Sequence, residues 1–466
     1  MANLSRIIFH IDMNSYFATC EQQANPHLRG LPIGVCEHLG GIIIAPSIEA
    51  KRLGIKTGTP VWEARKIDPL IVLLPVDPPK YREITRRFLR IFSDYTSLVE
   101  RYSIDEAFLD VTNLIGAGEY PWSTALLYAL EIKQRIRLEI GEWLSCSIGA
   151  APNKLLAKIA SDMEKPDGLT LIKPEDIPGL YERLNLTDIS GIAYRMERRL
   201  HDLGIFSLSD LRDYPEEELR QQFGIVGHYL HELGALRNPS VFELDDDQIR
   251  IIETEPHPLK FEAKSAEAYP PSPRATADDP LRTDVRLDIR TYSRRRIKSM
   301  GHAYTMPAAT DDPETIRRLI FKLSEKVGKR LRARSFAGSV VSCYVRYATR
   351  GNGESSGEGR GHRIHDLISD GRDIFRAAWK IYQSFHNGHP VRMAGVTVSG
   401  LAANVADEPL FERYRRAKRV IMAMDRVNDK YGDFFLRRAF LLQARALASD
   451  TVGFGRMKEM KYEPMA

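Results

Sequence analysis

The chain has 466 residues, of which 43% are hydrophobic and 28% are charged, with 67 Lys and Arg against 62 Asp and Glu. This composition is typical of a folded protein of several domains and excludes a largely disordered chain. No apolar run approaches the roughly 18 residues needed to span a bilayer, and the four cysteines are too widely spaced for a zinc motif. We therefore expect a cytoplasmic protein with neither a membrane segment nor a disulfide framework.

The first 165 residues predict an α+β domain with a mostly antiparallel sheet. The apolar run Ile7–Ile11 predicts a buried strand that ends at Asp12, and residues 98–111 predict a hairpin with Asp105 and Glu106 at its turn. Shorter apolar runs predict further strands at 42–44, 71–74 and 144–148. Helical periodicity is found at 14–21, 78–92, 122–138 and 153–163.

The second half of the chain changes in texture and in charge. Short helices are predicted from Pro166 to about residue 238, and the Pro-rich stretch 240–295 suits a linker or insertion. Residues 297–400 predict the order strand, helix, strand, loop, helix and strand, with the Gly-rich segment Gly351–Gly361 as the loop. Residues 286–350 hold 16 Lys and Arg against 5 Asp and Glu, which indicates either a surface for a phosphate backbone or a solvated basic face.

Three acidic residues are predicted to converge on one edge of the first sheet. Asp12 ends one strand, and Asp105 and Glu106 lie between two others. Carboxylates this close repel one another unless cations neutralise them, and their hard oxygen atoms suit Mg²⁺ or Mn²⁺. The alternative is that Asp12 caps a helix while the other two occupy an exposed turn. The spacing by itself leaves both interpretations open.

Two blocks closely resemble the signature motifs of Y-family translesion DNA polymerases, including the polymerase IV-like and polymerase V-like members. They are Ile-Asp12-Met-Asn-Ser-Tyr-Phe17 and Tyr102-Ser-Ile-Asp-Glu-Ala-Phe-Leu-Asp110. The resemblance continues in blocks spread along the chain, at 49–54, 147–149, 153–154, 165–168 and 424–432. It implies an α+β right-hand polymerase with palm, small fingers, helical thumb and a βαββαβ-like little finger. The implied boundaries are palm 1–19 and 78–165, fingers 20–77, thumb 166–239, linker 240–295, little finger 296–403 and helical tail 404–466.

The resemblance also implies roles for single residues. Asp12, Asp105 and Glu106 match the catalytic carboxylates, which hold two Mg²⁺ ions (or Mn²⁺) together with the backbone carbonyl of Met13. Phe17 matches the steric gate that excludes a ribose 2′-OH. The implied dNTP contacts are Phe17, the backbone of Tyr16, and the side chains of Lys51 and Lys165. Without the resemblance, Tyr16 and Phe17 would be interpreted as residues of the core and Lys165 as a surface lysine.

The sequence departs from the family pattern in the fingers. Polymerase IV-like members carry Tyr-x-x-Arg where this chain has Ile48 and Lys51. Because Lys cannot replace the two parallel hydrogen bonds of an Arg, this difference puts the triphosphate contact of Lys51 in question.

The candidate DNA-binding and clamp-binding segments resemble the family pattern less closely. Gly191 and Ala193 resemble the helix-hairpin-helix of the thumb, with Ala193 in place of the usual second glycine; the alternative is an ordinary turn between helices. The residues expected to grip the primer–template backbone in the little finger are Arg294, Arg295, Arg296, Lys298 and Ser299. Leu410 and Phe411 resemble the end of a sliding-clamp peptide, although Asp407 replaces its usual Gln.

These observations predict a monomeric, low-fidelity, template-directed DNA polymerase that acts in DNA damage bypass. Its partners would be primer–template DNA, dNTPs and the sliding clamp. One alternative is a non-catalytic relative that serves as an adaptor in a mutagenesis complex. Another is a palm-type nucleotidyl cyclase, which would share the metal site but lack the thumb hairpin and the basic C-terminal domain.

Overall fold

The computed structural model describes residues 6–116, 120–237, 297–348, 356–403, 412–444 and 447–448. The chain forms two compact units. The described part of the first unit is 6–16 and 81–237, and that of the second is 17–80 and 297–448. The predicted linker at 240–295 lies outside the described residues. Within the described ranges, no helix combines the length and apolar character that crossing a bilayer requires.

A five-stranded sheet forms the centre of the first unit. Strands and helices are numbered along the whole chain, and this sheet contains β1 (Ile8–Met13), β5 (Val99–Arg101), β6 (Glu106–Asp110), β7 (Cys146–Ala151) and β8 (Leu169–Leu171). Their order is β5-β6-β1-β7-β8, with antiparallel pairing except between β7 and β8. The mostly antiparallel sheet is therefore as predicted.

The helices of the first unit pack on this sheet and continue into an all-helical region. They are α4 (Pro78–Ser93), α5 (Thr112–Ile115), α6 (Pro121–Arg135), α7 (Lys154–Met163), α8 (Ile177–Arg183), α9 (Tyr194–His201), α10 (Leu208–Asp213), α11 (Glu216–Phe223) and α12 (Ile225–Gly234). Asn153 caps α7, because its side chain accepts a hydrogen bond of 2.9 Å from the amide of Leu156. A Cβ at Gly149 in β7 would lie 2.1 Å from the carbonyl oxygen of Ala157, so this glycine permits α7 to lie directly on the sheet.

The second unit contains two sheets. The smaller part comprises α1 (Tyr16–Ala24, which starts in the first unit), β2 (Ile33–Cys36), β3 (Ile43–Pro46), α2 (Ile48–Arg52), α3 (Val61–Ile67) and β4 (Val72–Pro75). The larger part comprises β9 (Ser299–Thr310), α13 (Pro313–Ala333), β10 (Phe336–Tyr347), β11 (Gly357–Ile368), α14 (Gly371–Phe385) and β12 (Val391–Ala403). The larger sheet has the order β11-β10-β12-β9 and is antiparallel throughout, so the predicted βαββαβ order is correct.

The prediction of a loop over Gly351–Gly361 is wrong from Gly357 onwards, where β11 begins. This strand is rich in Gly and polar residues and lacks the apolar alternation by which a strand is recognised from sequence. It forms because its backbone pairs with β10, where Gly359 lies opposite Tyr344. A Cβ at Gly359 would lie 2.4 Å from the Cβ of Tyr344, so the strand depends on this glycine.

The C-terminal segment, defined as residues 412–448, packs against the helices of the larger sheet through ion pairs and hydrogen bonds of charged side chains. It contains α15 (Glu412–Tyr431) and a 3₁₀ helix at Ala439–Ala444. The guanidinium of Arg332 on α13 donates to both carboxylate oxygens of Asp425, at 2.7 and 2.9 Å. The ammonium of Lys322 donates to the carbonyl oxygen of Ala444 at 3.0 Å. The predicted helical tail is thus a packed part of the second unit over its described residues.

Candidate active site

The acidic residues Asp12, Asp105 and Glu106 meet at one end of β1 and β6. Asp12 and Glu106 are direct partners in the antiparallel register, and the amide of Met13 donates a hydrogen bond of 2.9 Å to the carbonyl oxygen of Asp105. Partner residues in antiparallel strands have Cβ atoms about 4.5–5.5 Å apart on the same face. The predicted hairpin therefore exists, and it places the three residues around one point on the first unit.

Asp105 lies in a largely buried position. The hydroxyl of Ser103 donates a hydrogen bond to its Oδ1 atom. Burial, followed by the negative charges of Asp12 and Glu106, nevertheless raises the pKa of Asp105 to about 6. The ionised form of Asp105 is therefore disfavoured by the protein itself, and a cation close to it would be stabilising.

Glu106 has a different environment although it is the next residue. Its Oε2 atom lies 3.0 Å from Nε2 of His10 and 2.6 Å from Nζ of Lys158. Burial by itself would raise the pKa of Glu106, but the hydrogen bond from His10 and the charge of Lys158 outweigh burial and lower the pKa to about 2. Glu106 is consequently ionised at any physiological pH.

Lys165, the predicted triphosphate contact, lies beside Asp12. Its Nζ atom is 2.9 Å from Oδ2 of Asp12 and 2.6 Å from Oδ1 of Asp162. Burial opposes the ammonium form, but these two carboxylates raise the pKa of Lys165 above its ordinary value. Lys165 therefore carries a permanent positive charge at the edge of the acidic patch.

The turn that carries Lys165 is tied to β1 by Asn14. The side-chain oxygen of Asn14 accepts a hydrogen bond of 2.7 Å from the amide of Asp167, and its nitrogen donates to the Ser147 hydroxyl at 3.0 Å. The same hydroxyl accepts from the amide of Gly168 at 3.2 Å. These contacts fix the turn relative to the strand that bears Asp12.

The carboxylate oxygens of this patch fit a divalent cation by their chemistry, since three hard anionic ligands come from two adjacent strands. Among the described residues, no three His, Cys, Asp or Glu side chains are already arranged as the ligands of one ion. The ammonium groups of Lys158 and Lys165 pair with carboxylates of the patch. The residues therefore suit a cation, and these two lysines compensate part of their charge.

The two aromatic residues that follow the first motif are both buried, Tyr16 in the first unit and Phe17 in the second. The hydroxyl of Tyr16 donates to the carbonyl oxygen of Tyr81 at 2.7 Å and lies 2.8 Å from the Thr85 hydroxyl. The side chain of Tyr16 is thus committed to packing against α4. Any contact of Tyr16 with a nucleotide must come from its backbone, as the resemblance implies.

The two unusual fingers residues, Ile48 and Lys51, lie on the short helix α2 of the second unit. The Ser47 hydroxyl caps this helix by accepting a hydrogen bond of 3.2 Å from the amide of Ala50. The side chain of Lys51 is exposed in the last turn. The structure leaves the predicted triphosphate contact of Lys51 untested.

The candidate helix-hairpin-helix of the first unit is present as a tight turn. Gly191 has φ +115°, a conformation that favours glycine, and the amide of Ile192 donates to the carbonyl oxygen of Ile189 at 2.9 Å. Ala193 follows as the N-cap residue of α9 and is exposed, like Gly191. The turn therefore presents backbone on the surface, which the DNA-binding role requires.

Of the predicted DNA contacts in the little finger, Lys298 and Ser299 are described, and both are exposed where β9 begins. Three others, Arg294, Arg295 and Arg296, lie outside the described residues. The two candidate clamp residues, Leu410 and Phe411, also lie outside them.

Sequence reasoning missed His10, Ser103 and Lys158, which contact carboxylates of the acidic patch. It also missed Asn14, which ties the Lys165 turn to β1. His10 precedes Asp12 by two positions in a strand, which places both side chains on one face of the sheet. That spacing could have identified His10 as a neighbour of the acidic residues. Lys158 is far from Glu106 in sequence, and only the packing of α7 on the sheet brings the two together.

An acidic patch on an antiparallel sheet, a helical region with a surface turn and a βαββαβ part in the second unit are the features expected of a Y-family DNA polymerase. The comparisons with known proteins agree. Residues 11–162 match the impB/mucB/samB family and residues 297–409 match the impB/mucB/samB family C-terminal domain. The chain belongs to this family.

The relatives point to the same activity, and a solved structure shows the same fold. The chain is 33% identical to DNA polymerase IV of Pelotomaculum thermopropionicum over 92% of this chain and 94% of the relative. It is 34% identical to DNA polymerase IV of Moorella thermoacetica over 92% and 95%. A Y-family DNA polymerase chimera has the same fold, with a TM-score of 0.61 and 23% identity over 85% of this chain and 100% of that one. The protein is a DNA-directed DNA polymerase of the translesion class, acting on DNA and dNTPs with a divalent metal; the adaptor alternative receives no support.

Proposed function

We propose that Asp12, Asp105 and Glu106, with the backbone carbonyl of Met13, hold two divalent cations, Mg²⁺ or Mn²⁺, for nucleotidyl transfer. The convergence of the three carboxylates at one end of β1 and β6 supports this proposal most directly. When bound, such cations activate the primer 3′-OH and neutralise charge on the α-phosphate and on the departing pyrophosphate. The raised pKa of Asp105 fits this role, since its ionised form needs a compensating charge.

Four residues are proposed, on the resemblance, to contact the incoming nucleotide. Lys165 carries a permanent charge beside Asp12 and is proposed to contact the triphosphate as a point charge. Lys51 is proposed as a second phosphate contact, weaker than the Arg of polymerase IV-like members. Phe17 is proposed as the steric gate, and the backbone of Tyr16 as a further triphosphate donor.

DNA is proposed to be held through its backbone, without readout of its sequence. The hairpin with Gly191 and Ala193 would approach phosphates by its amide groups. Lys298 and Ser299 of the second unit are proposed to bind the DNA backbone. The same role is proposed, on the sequence resemblance, for Arg294, Arg295 and Arg296. Low fidelity in damage bypass is proposed from the short fingers segment at 20–77, which implies an open active site.

Clamp binding through Leu410 and Phe411 is proposed on the sequence resemblance, and the protein is proposed to act as a monomer. A pull-down with the sliding clamp tests the first statement, and capture that is unaffected by the double substitution Leu410→Ala/Phe411→Ala would contradict it.

Primer extension on an undamaged template tests the active site. Wild type is compared with Asp105→Ala/Glu106→Ala and with the control Asp94→Ala/Glu139→Ala, whose carboxylates are exposed and pair with Arg135 in the same unit. We expect extension to be lost only in the first variant, while its DNA binding is retained. Extension by that variant at the wild-type rate would show that these acids are not the metal ligands.

A further inference from the structure

Glu106 is held through only one of its two carboxylate oxygens. His10 Nε2, at 3.0 Å, and Lys158 Nζ, at 2.6 Å, both reach Oε2. Within the described part of the chain, Oε1 accepts no hydrogen bond. A carboxylate has about four lone-pair sites, two on each oxygen. The two donors therefore use one oxygen fully and leave the other to a further partner.

The His10 ring is fixed on both sides. It is fully buried, its other nitrogen Nδ1 lies 2.6 Å from the Ser161 hydroxyl, and its centroid lies 4.5 Å from that of Phe108. Because the Glu106 carboxylate can only accept, Nε2 of His10 donates to its Oε2 atom. The Ser161 hydroxyl, which lies beside Nδ1, donates a hydrogen bond of 2.8 Å to the carbonyl oxygen of Lys158.

Lys158 is aligned by its own helix. Lys158 and Ser161 are three residues apart on α7, so both face the sheet and reach the same acidic residue, Lys158 directly and Ser161 through His10. The Lys158 ammonium also lies 5.4 Å from the centroid of the Tyr102 ring, which restricts the path of its side chain. Two elements, β1 and α7, thus converge on a single oxygen atom.

We propose that His10, Lys158 and Ser161 are positioning residues, which hold Glu106 by Oε2 so that Oε1 is presented to a divalent cation. This inference rests on the proposed role of Glu106 as a metal ligand. The three residues do not touch the cation or the substrates; they fix the side-chain torsions of Glu106 and decide which oxygen ligates. Partners of this kind typically alter metal affinity by at least about tenfold when they are removed.

The test measures metal binding without turnover. The polymerase is assembled with a primer that ends in a dideoxynucleotide and the matching dNTP, and Mn²⁺ is titrated while free Mn²⁺ is followed by electron paramagnetic resonance. We expect Lys158→Met to weaken Mn²⁺ binding about tenfold, Lys158→Arg to restore most of the affinity and Ser161→Ala to give a smaller loss. The matched control is Lys154→Met, on the same helix one turn earlier, whose ammonium pairs with Glu100; it should bind Mn²⁺ as wild type does.

A merely structural role predicts a different result. Lys158→Met would then lower the thermal unfolding temperature but bind Mn²⁺ like wild type, and this outcome would overturn the inference. If Lys158→Met does not fold, Ser161→Ala decides, and unchanged Mn²⁺ binding by that variant counts against the proposal. Glu106→Gln separates a failure of this inference from a failure of the proposed metal role. If Glu106→Gln leaves Mn²⁺ binding intact, the proposed role of Glu106 as a metal ligand is itself wrong. Excess Mn²⁺ should rescue primer extension by Lys158→Met and not by Glu106→Gln.

Discussion

Neutralising Asp105 and neutralising Glu106 are expected to change the stability of the metal-free protein in opposite directions. Burial and the charge of Asp12 raise the pKa of Asp105 from 3.8 to about 6, which corresponds to roughly 3 kcal/mol against the ionised form. Burial disfavours ionised Glu106 too, but His10 and Lys158 reverse this and lower its pKa from 4.5 to about 2. That shift is roughly 3 kcal/mol in favour of the ionised form.

The signs follow from proton linkage. Folded Asp105 keeps its proton to a higher pH than it does in the unfolded chain, so the free energy of unfolding falls as pH rises from about 4 to about 6. For Glu106, the free energy of unfolding rises as pH rises from about 2 to about 4.5, and it stays at the higher value above pH 4.5. At pH 7.5, Asp105→Asn should therefore stabilise by about 1–3 kcal/mol, and Glu106→Gln should destabilise by a similar amount.

Urea denaturation in EDTA measures both effects. Trp62 and Trp379 of the second unit are first replaced by Phe, so that the fluorescence of Trp122 and Trp143 reports on the first unit alone. The comparison is made at about pH 7.5 and again near pH 4. Near pH 4, Asp105 of the unfolded chain is about half protonated, so the stabilising effect of Asp105→Asn should have largely disappeared. Asp94→Asn is the control, because this half-exposed carboxylate forms only a surface ion pair with Arg135, worth less than about 1 kcal/mol.

The electrostatic account would be refuted if both substitutions changed stability with the same sign at about pH 7.5, or if Asp105→Asn were destabilising there. A stabilising loss-of-function substitution has a clear physical meaning. It shows that the fold tolerates repulsion at Asp105 because the site requires a carboxylate there.

Three further expectations concern other parts of the chain. Phe17→Ala should raise ribonucleotide incorporation in primer extension; if the sugar preference stays unchanged, the steric-gate assignment fails. Asp425→Asn should lower the stability of the second unit by about 1–3 kcal/mol, since the Arg332–Asp425 pair is bidentate and only 16% and 21% exposed; urea denaturation followed by Trp379 fluorescence would contradict this by showing no change. Lys298→Ala should weaken DNA binding equally across sequences and reduce the salt slope of log K by roughly one; a change that depends on base sequence would show that Lys298 does more than bind phosphate.

The acidic patch could be predicted from the sequence because each of its parts is local. A strand ending at Asp12 and a hairpin around Asp105 are short apolar patterns, and antiparallel pairing leaves few ways of arranging them. The family motifs then supplied the roles. Local patterns also predicted β9, α13, β10, α14 and β12, whereas β11 followed only from the family resemblance. Pairing of β11 with β10 overrides a sequence with little intrinsic preference for a strand.

The network behind Glu106 could not be predicted in this way. Lys158 is 52 residues from Glu106 and Ser161 is 151 residues from His10. On α7, a lysine between apolar residues is typical of any amphipathic helix, and its partner is decided only when the helix lies on the sheet. The approach of α7 itself depends on Gly149, whose missing side chain makes room for the backbone at Ala157. Tertiary packing therefore creates contacts that periodicity does not encode.

Lys165 illustrates how the same charges can serve two states of the site. Its ammonium lies 2.9 Å from Asp12 and 2.6 Å from Asp162, and these two carboxylates together keep it charged. A role in binding the triphosphate requires Lys165 to leave Asp12, and a cation on Asp12 would remove the attraction that holds the lysine there. Asp162 lies outside the acidic cluster and can keep its contact during that exchange. Asp162→Asn should thus weaken dNTP binding by loosening Lys165, whereas the loss of an Asp162 that only helped the fold would leave the KM for dNTP unchanged.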